Sequence, residues 1–134
     1  MKDFTNEEIA EYYDKTEVHY RSAWDLGESL AMHYGFWKKD TSSFRASLLE
    51  MNNQLAKFGE IQPHHRVLDA GCGVGGSSIF LAKKLGCKVT GITLSDKQVA
   101  TSTQNAAKRG VSDLVNFEQA DFTNTNFPDN HFDI

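Results

Sequence analysis

The run Val67-Leu68-Asp69-Ala70-Gly71-Cys72-Gly73-Val74-Gly75-Gly76 constrains this chain more than any other segment. Its first half is a short apolar strand and its second half is too glycine-rich to continue one. A tight turn of this kind needs positive φ angles, and a ligand can approach main chain only where no β-carbon intervenes. The periodic apolar residues that resume after Gly76 predict a helix. A strand, a glycine loop and a helix in that order deliver backbone N–H groups to a helix N-terminus, where the partial positive charge favours a carboxylate or a phosphate.

The remaining chain repeats this rhythm. Strands are predicted over 66–70, 88–92 and 115–118, with helices over 77–85 and from Ser95 to Arg109 between them. Gly86 and Gly110 stand where helix C′ residues belong, and Lys83, Lys84, Lys108 and Arg109 place cations in the last turns. Ser95 and Gln98 have the spacing of a capping box. Residues 123–130 read as a loop, and Phe132-Asp133-Ile134 as the opening of a fourth strand. Successive βα units imply an α/β fold, a Rossmann-like three-layer αβα sandwich with parallel strands, right-handed crossovers and helices on both faces.

Residues 1–60 have a different character and read as an N-terminal helical lid or cover, leaving 61–134 as the ligand-binding half. Ile9, Tyr12, Tyr13 and Thr16 recur at helical spacing between Asn6 and about His19. Residues 20–39 form an irregular aromatic cover. A helix over 43–60 presents Phe44, Leu48, Met51, Leu55 and Phe58 on one face, with caps offered by Thr41, Ser42 and Ser43.

A net charge of −4 over 134 residues, with scattered Lys and Arg, gives no footprint for nucleic acid. The two cysteines, Cys72 and Cys87, read as reduced thiols, and the acidic N-terminus lacks an apolar targeting core. A cytoplasmic protein without a transmembrane segment is expected. His64 and His65 are neighbours that face apart on extended chain, so no metal site is assigned. His33, alone in an aromatic segment, reads as a packed residue and receives no catalytic role.

Gly71, Gly73 and Gly76 also satisfy the G-x-G-x-x-G spacing of dinucleotide binders. Asp69 separates the two readings. A carboxylate two residues before the first glycine would repel a pyrophosphate and attract an ammonium group. Asp69-x-Gly71-x-Gly73-x-Gly75 resembles the first motif of S-adenosylmethionine-dependent methyltransferases. Gly91-Ile92-Thr93-Leu94-Ser95-x-x-Gln98 resembles the post-strand motif of the small-molecule branch that includes sterol and tocopherol methyltransferases and cyclopropane fatty acid synthases. Ala120-Asp121-Phe122 resembles the adenine motif, and Phe127-Pro128-Asp129-Asn130-x-Phe132-Asp133 the lead into the fourth strand. His19-Tyr20 and Met32-His33-Tyr34-Gly35-Phe36-Trp37 resemble the N-terminal lid.

The resemblance implies S-adenosyl-L-methionine as cofactor, leaving S-adenosyl-L-homocysteine as product, and a small-molecule or lipid methyl acceptor. It implies cofactor contacts from Asp69, Gly71, Cys72, Gly73 and Gly75 at the methionine end. Thr93, Leu94 and Gln98 would line ribose and adenine in place of the usual strand-end acid, and Asp121 and Phe122 would hold the adenine. Tyr20 and Tyr34 join this set from the lid. No catalytic base is assigned. The resemblance also implies strands beyond the fourth, so the chain reads as a fragment of a protein longer by on the order of 100 residues. On that reading β-strand one has a bare edge that could pair a second copy. A nicotinamide-dependent oxidoreductase and a non-catalytic nucleotide-binding scaffold are the competing readings.

Overall fold

The structure is a computed structural model that describes residues 3–24 and 26–134. Three helices lead: α1 (Asn6–Ala23), the single turn α2 (Leu26–Ser29) and α3 (Phe44–Phe58). Then come β1 (Arg66–Ala70), α4 (Gly76–Leu85), β2 (Lys88–Thr93), α5 (Asp96–Arg109) and β3 (Val115–Gln119). The strands form a parallel sheet in the order β1-β2-β3, with Asp69, Gly91 and Phe117 in one register row.

The end signals act as expected. Gly86 and Gly110 adopt left-handed φ of 75° and 71° and close α4 and α5. α1 begins at Asn6 as expected, where Thr5 and Glu8 form a reciprocal capping box, and runs past His19 to Ala23. The α3 face is rotated from the apolar stripe. Ser47, Leu48 and Asn52 are buried, whereas Phe58 is 92% exposed and Leu55 55%. Gly35 lies against Ser47, the Phe36 N–H donates to the Ser47 carbonyl at 2.8 Å, and Ser77 Oγ donates to Asn52 Oδ1 at 2.9 Å. Backbone approach and a polar contact, not the largest side chains, set which face docks.

α4 and α5 touch each other as well as β2 and β3, so both crossovers lie on one side of the sheet. Two right-handed crossovers running in the same direction must do so. Among the described residues there are therefore two of the three expected layers, and the expected helices on the second face are not there. The core lies between α4, α5 and the sheet, and includes Val67, Val74, Ile79, Ala82, Val89 and Phe117.

The edge of β1 opposite β2 is not bare over its whole length. The Leu68 N–H donates to the Ile134 carbonyl at 3.0 Å, and the Asp133 and Ile134 N–H groups donate to the Arg66 carbonyl at 2.8 and 3.4 Å. This is parallel pairing of Val67 with Ile134. The last residues thus pair with β1 on its side away from β2.

Candidate cofactor site

The loop after β1 turns on Gly71, Gly73 and Gly75, with φ of 85°, 54° and 86°. Gly75 is the most restricted of them. A β-carbon there would sit 2.8 Å from the Phe117 ring and 2.9 Å from Ser102 Cβ, so loop, α5 and β3 meet without room for a side chain. The Gly71 and Cys72 N–H groups both donate to the Ile92 carbonyl at 2.9 Å. These two amides, expected to face a ligand, instead tie the loop to β2.

Gly75 is the N-cap of α4 and supplies no side chain to cap it. Asp69 supplies the missing acceptor from the end of β1. Its Oδ2 accepts the Ser78 hydroxyl at 2.6 Å, and the Ser78 backbone N–H also bonds to this carboxylate. Burial pushes the Asp69 carboxyl above its ordinary value, while the Ser78 donors and the nearby His33 act in the opposite sense. The side chain is therefore an incompletely compensated buried acid, and a cation beside it would relieve the cost.

His33 lies near this end. Its Nδ1 meets the Tyr34 carbonyl at 2.9 Å, which makes Nδ1 the donor. Its Nε2 is buried with no hydrogen-bond partner among the described residues. Cys72 is buried, and burial followed by the proximity of Asp69 pushes its thiol up to about 12. It is a neutral lining group and not a nucleophile.

A cleft of about 300 Å³ opens at the carboxyl ends of the strands. Gly71, Gly73, Thr93, Leu94, Gln98 and Phe122 line it, six of the residues singled out from the sequence. Thr93 Oγ donates to Gln98 Oε1 at 2.6 Å, and both residues are buried. The capping box at Ser95 and Gln98 is only half formed. Ser95 Oγ accepts the Gln98 N–H at 3.1 Å, but the Ser95 N–H goes to Thr93 Oγ at 3.4 Å, because the Gln98 side chain is turned inward to Thr93.

Asp121 sits just past β3. Its Oδ1 accepts the Thr123 N–H at 2.8 Å and the Thr123 hydroxyl at 2.7 Å, and its Oδ2 accepts Asn6 Nδ2–H at 2.8 Å. The Thr123 hydroxyl first, then Asn6 and the Thr123 amide, hold this carboxyl below its usual range. Tyr20 and Tyr34 are not brought to the cleft. Tyr20 packs edge-on against Trp24 with centroids 5.2 Å apart, and Tyr34 is 80% exposed beside the same indole.

α1 lies along the open side. Ile9, Ala10 and Tyr13 line the cleft together with Met32. Ser95 Oγ donates to Asp14 Oδ1 at 2.5 Å, and Lys97 Nζ reaches the Asp14 carbonyl at 3.1 Å and Glu17 at 3.5 Å. The helical spacing of Ile9 and Tyr13 was a readable sign of an inward face. Ser78 and Met32 carried no such sign, since their roles depend on how α4 and the cover fold back over the strand ends.

The site thus has an acidic end under a glycine loop, a polar middle at Thr93 and Gln98, and an acidic rim with an aromatic neighbour at Asp121 and Phe122. That order suits an elongated ligand with a cation at one end and a hydrogen-bond-donating ring at the other. Residues 67–134 match the methyltransferase domain family, and the chain belongs to it. It is 36% identical over 137 residues to a probable chloroplastic tocopherol O-methyltransferase of Oryza sativa subsp. japonica, covering 96% of this chain and 37% of that protein. The crystal structure of the [4+2]-cyclase SpnF superposes with a TM-score of 0.89 at 30% identity, covering 99% of this chain and 48% of that one. Geranyl diphosphate methyltransferase, solved with GPP and sinefungin, superposes with a TM-score of 0.69 at 27% identity, covering 78% of this chain and 45% of that one. The chain spans less than half the length of each of these relatives.

Proposed function

We propose that this chain is the S-adenosylmethionine-binding part of a methyltransferase, with residues 1–60 as its lid and 61–134 as the cofactor half. The observation that carries this reading is the Asp69 carboxylate at the end of β1, held by Ser78 at the N-terminus of α4 beneath the glycine loop. A carboxylate beneath the glycine loop suits an α-ammonium group and opposes a pyrophosphate. The commitment of the Gly71 and Cys72 amides to Ile92 removes two donors that a pyrophosphate would need, and the relatives give the nicotinamide reading no support.

The sulfonium of the cofactor supplies an already activated methyl group. The work of this chain is then to bind and orient. Asp69 holds the cationic end and Gly71 and Gly73 allow close approach to main chain. Thr93 and Gln98 face the ribose, Leu94 and Phe122 cover apolar surface, and Asp121 accepts from the base. α1 keeps water from the open side. Among the described residues no helix is long and apolar enough to cross a membrane. The proposed acceptor is a small molecule or lipid, which the relatives named for tocopherol and geranyl diphosphate support. We place the protein in the cytoplasm, without a nucleic-acid partner, and take the incompletely paired sheet edge as a surface for a second copy.

Calorimetry with S-adenosylhomocysteine and with NAD tests the reading: binding of the first alone is expected, and binding of NAD alone would overturn it. A second reading comes from SpnF, a cyclase on the same frame. Transfer of a radiolabelled methyl group from the cofactor to an acceptor by the whole protein favours methylation, and turnover of an acceptor without label favours cyclisation.

A further inference from the structure

Tertiary packing gathers cations that lie far apart in the chain. A hollow of about 270 Å³ opens between the turn at 28–30, α3, α4 and the end of α5, and none of its lining residues lines the cofactor cleft. Arg45, Lys83, Lys84 and Arg109 stand around it, with Glu28 as the one acid among the described residues that line it. Glu28 is paired with Arg45 at 3.7 Å, and the Arg109 guanidinium donates to the Glu28 carbonyl at 2.9 Å, which holds the end of α5 at this rim. Lys84 lies 5.3 Å from the centroid of the Phe80 ring and bonds the Asn53 carboxamide oxygen. Lys83 has no carboxylate partner among the described residues. Four cations against one acid give the hollow a positive field in a chain that is acidic as a whole.

The floor is of another kind. Leu30, Leu48 and Ile79 line it and are buried. Asn52 lines it too and is only 6% exposed. Its Oδ1 accepts the Ser77 hydroxyl at 2.9 Å, but its NH2 has no hydrogen-bond partner among the described residues. Buried carboxamides normally satisfy both ends, so this NH2 is a fixed donor open to the hollow. We propose that the hollow binds a small anionic amphiphile, a phosphate monoester of an apolar chain. Its head takes the Asn52 NH2 and the surrounding cations, and the first carbons of its chain lie on Leu30, Leu48 and Ile79. A phosphate monoester carries close to two negative charges and three acceptor oxygens at neutral pH, which suits several cationic donors around one amide. The apolar floor gives a bare inorganic ion nothing to gain. This site is independent of the cofactor reading above.

The test titrates the isotope-labelled chain with octyl phosphate below its micelle-forming concentration and follows the Asn52 side-chain NH2 and the Leu48 and Ile79 methyl resonances. These are expected to shift together, with S-adenosylhomocysteine present or absent. Octyl phosphate should bind at least about tenfold more tightly than inorganic phosphate, which lacks the tail, or octyl glucoside, which lacks the charge. Arg45→Gln combined with Lys83→Gln, two changes on exposed side chains, should weaken octyl phosphate about three- to tenfold and leave octyl glucoside unchanged. Equal affinity for octyl glucoside, or no loss in the double variant, would show that the charge is unused and overturns the proposal. Equal affinity for inorganic phosphate would show the same of the floor. Shifts confined to Gly71, Thr93 and Gln98 would place the ligand in the cofactor cleft and also overturn it. Sedimentation of the chain with phosphatidylcholine vesicles that contain phosphatidic acid, while octyl phosphate leaves Asn52 unmoved, would replace the single amphiphile by a bilayer surface. The wild-type shifts decide the matter even where the double variant fails to fold.

Discussion

At the residue scale Asp69 caps α4 through Ser78, and on the proposed function its charge also meets the cationic end of the cofactor. Asn in its place keeps an acceptor for the Ser78 hydroxyl and removes the charge. Asp69→Asn is expected to weaken S-adenosylhomocysteine binding by about 1–3 kcal/mol, the range for a lost hydrogen bond to a charged group, as read by calorimetry. The same change should raise the ligand-free melting temperature at neutral pH. The sign follows from the raised folded-state pKa: the cost of burying the ionised form is absent below the unfolded value of about 3.9 and fully present above the folded one. Cofactor affinity should accordingly fall as pH drops through the raised Asp69 pKa, because the protonated acid no longer attracts an ammonium group. Affinity that is flat across acidic pH would show that Asp69 does not meet the cation. Gly75→Ala tests the loop itself. Its positive φ alone costs a side chain about 1–3 kcal/mol, and the contacts with Phe117 and Ser102 add to that in a urea unfolding curve.

Elements here are joined by polar residues as much as by apolar ones. Ser95 caps α5 and also holds α1 through Asp14. Ser95→Ala should cost about 1 kcal/mol of unfolding free energy from the cap and speed hydrogen exchange in the middle of α1. A change confined to α5 would mean that Asp14 does not anchor the lid. Element positions were legible because strands, C′ glycines and charged last turns agree with one another over residues 66–119. The α3 interface was not legible, since Gly35 and Asn52 decide it and neither enters an apolar count.

For the whole molecule, the sheet is covered on one face by α4 and α5 and is paired at its β1 edge by the residues around Ile134. Asp133 matters there: the Arg66 N–H donates to its Oδ2 at 2.7 Å and the Arg66 side chain reaches the Asn130 carbonyl at 3.1 Å. The Arg66 N–H first, and then the Arg66 charge, hold the Asp133 carboxyl below its usual range. The stabilisation from a depressed acid is present above the unfolded pKa and is lost as pH falls through the folded one. Hydrogen-exchange protection of the Leu68 amide, which donates to Ile134, is therefore expected to persist at neutral pH and to fade below about pH 4. Asp133→Ala should remove that protection at neutral pH, and full protection in the variant would show that the terminal pairing stands without this anchor.

Local chemistry was enough to locate the glycine loop, the three strands and the helices α4 and α5, because glycine φ, helix ends and side-chain periodicity are settled within a few residues of chain. It was also enough to put Asp69, Thr93, Gln98 and Asp121 on the carboxyl side of the sheet. Only the tertiary structure decided that Asp69 reaches Ser78, that Asn6 reaches Asp121, that Tyr20 and Tyr34 stay clear of the cleft and that Ile134 pairs with Val67. These depend on where distant segments meet, and a hydrogen bond across tens of residues leaves no period or cap in the sequence to announce it.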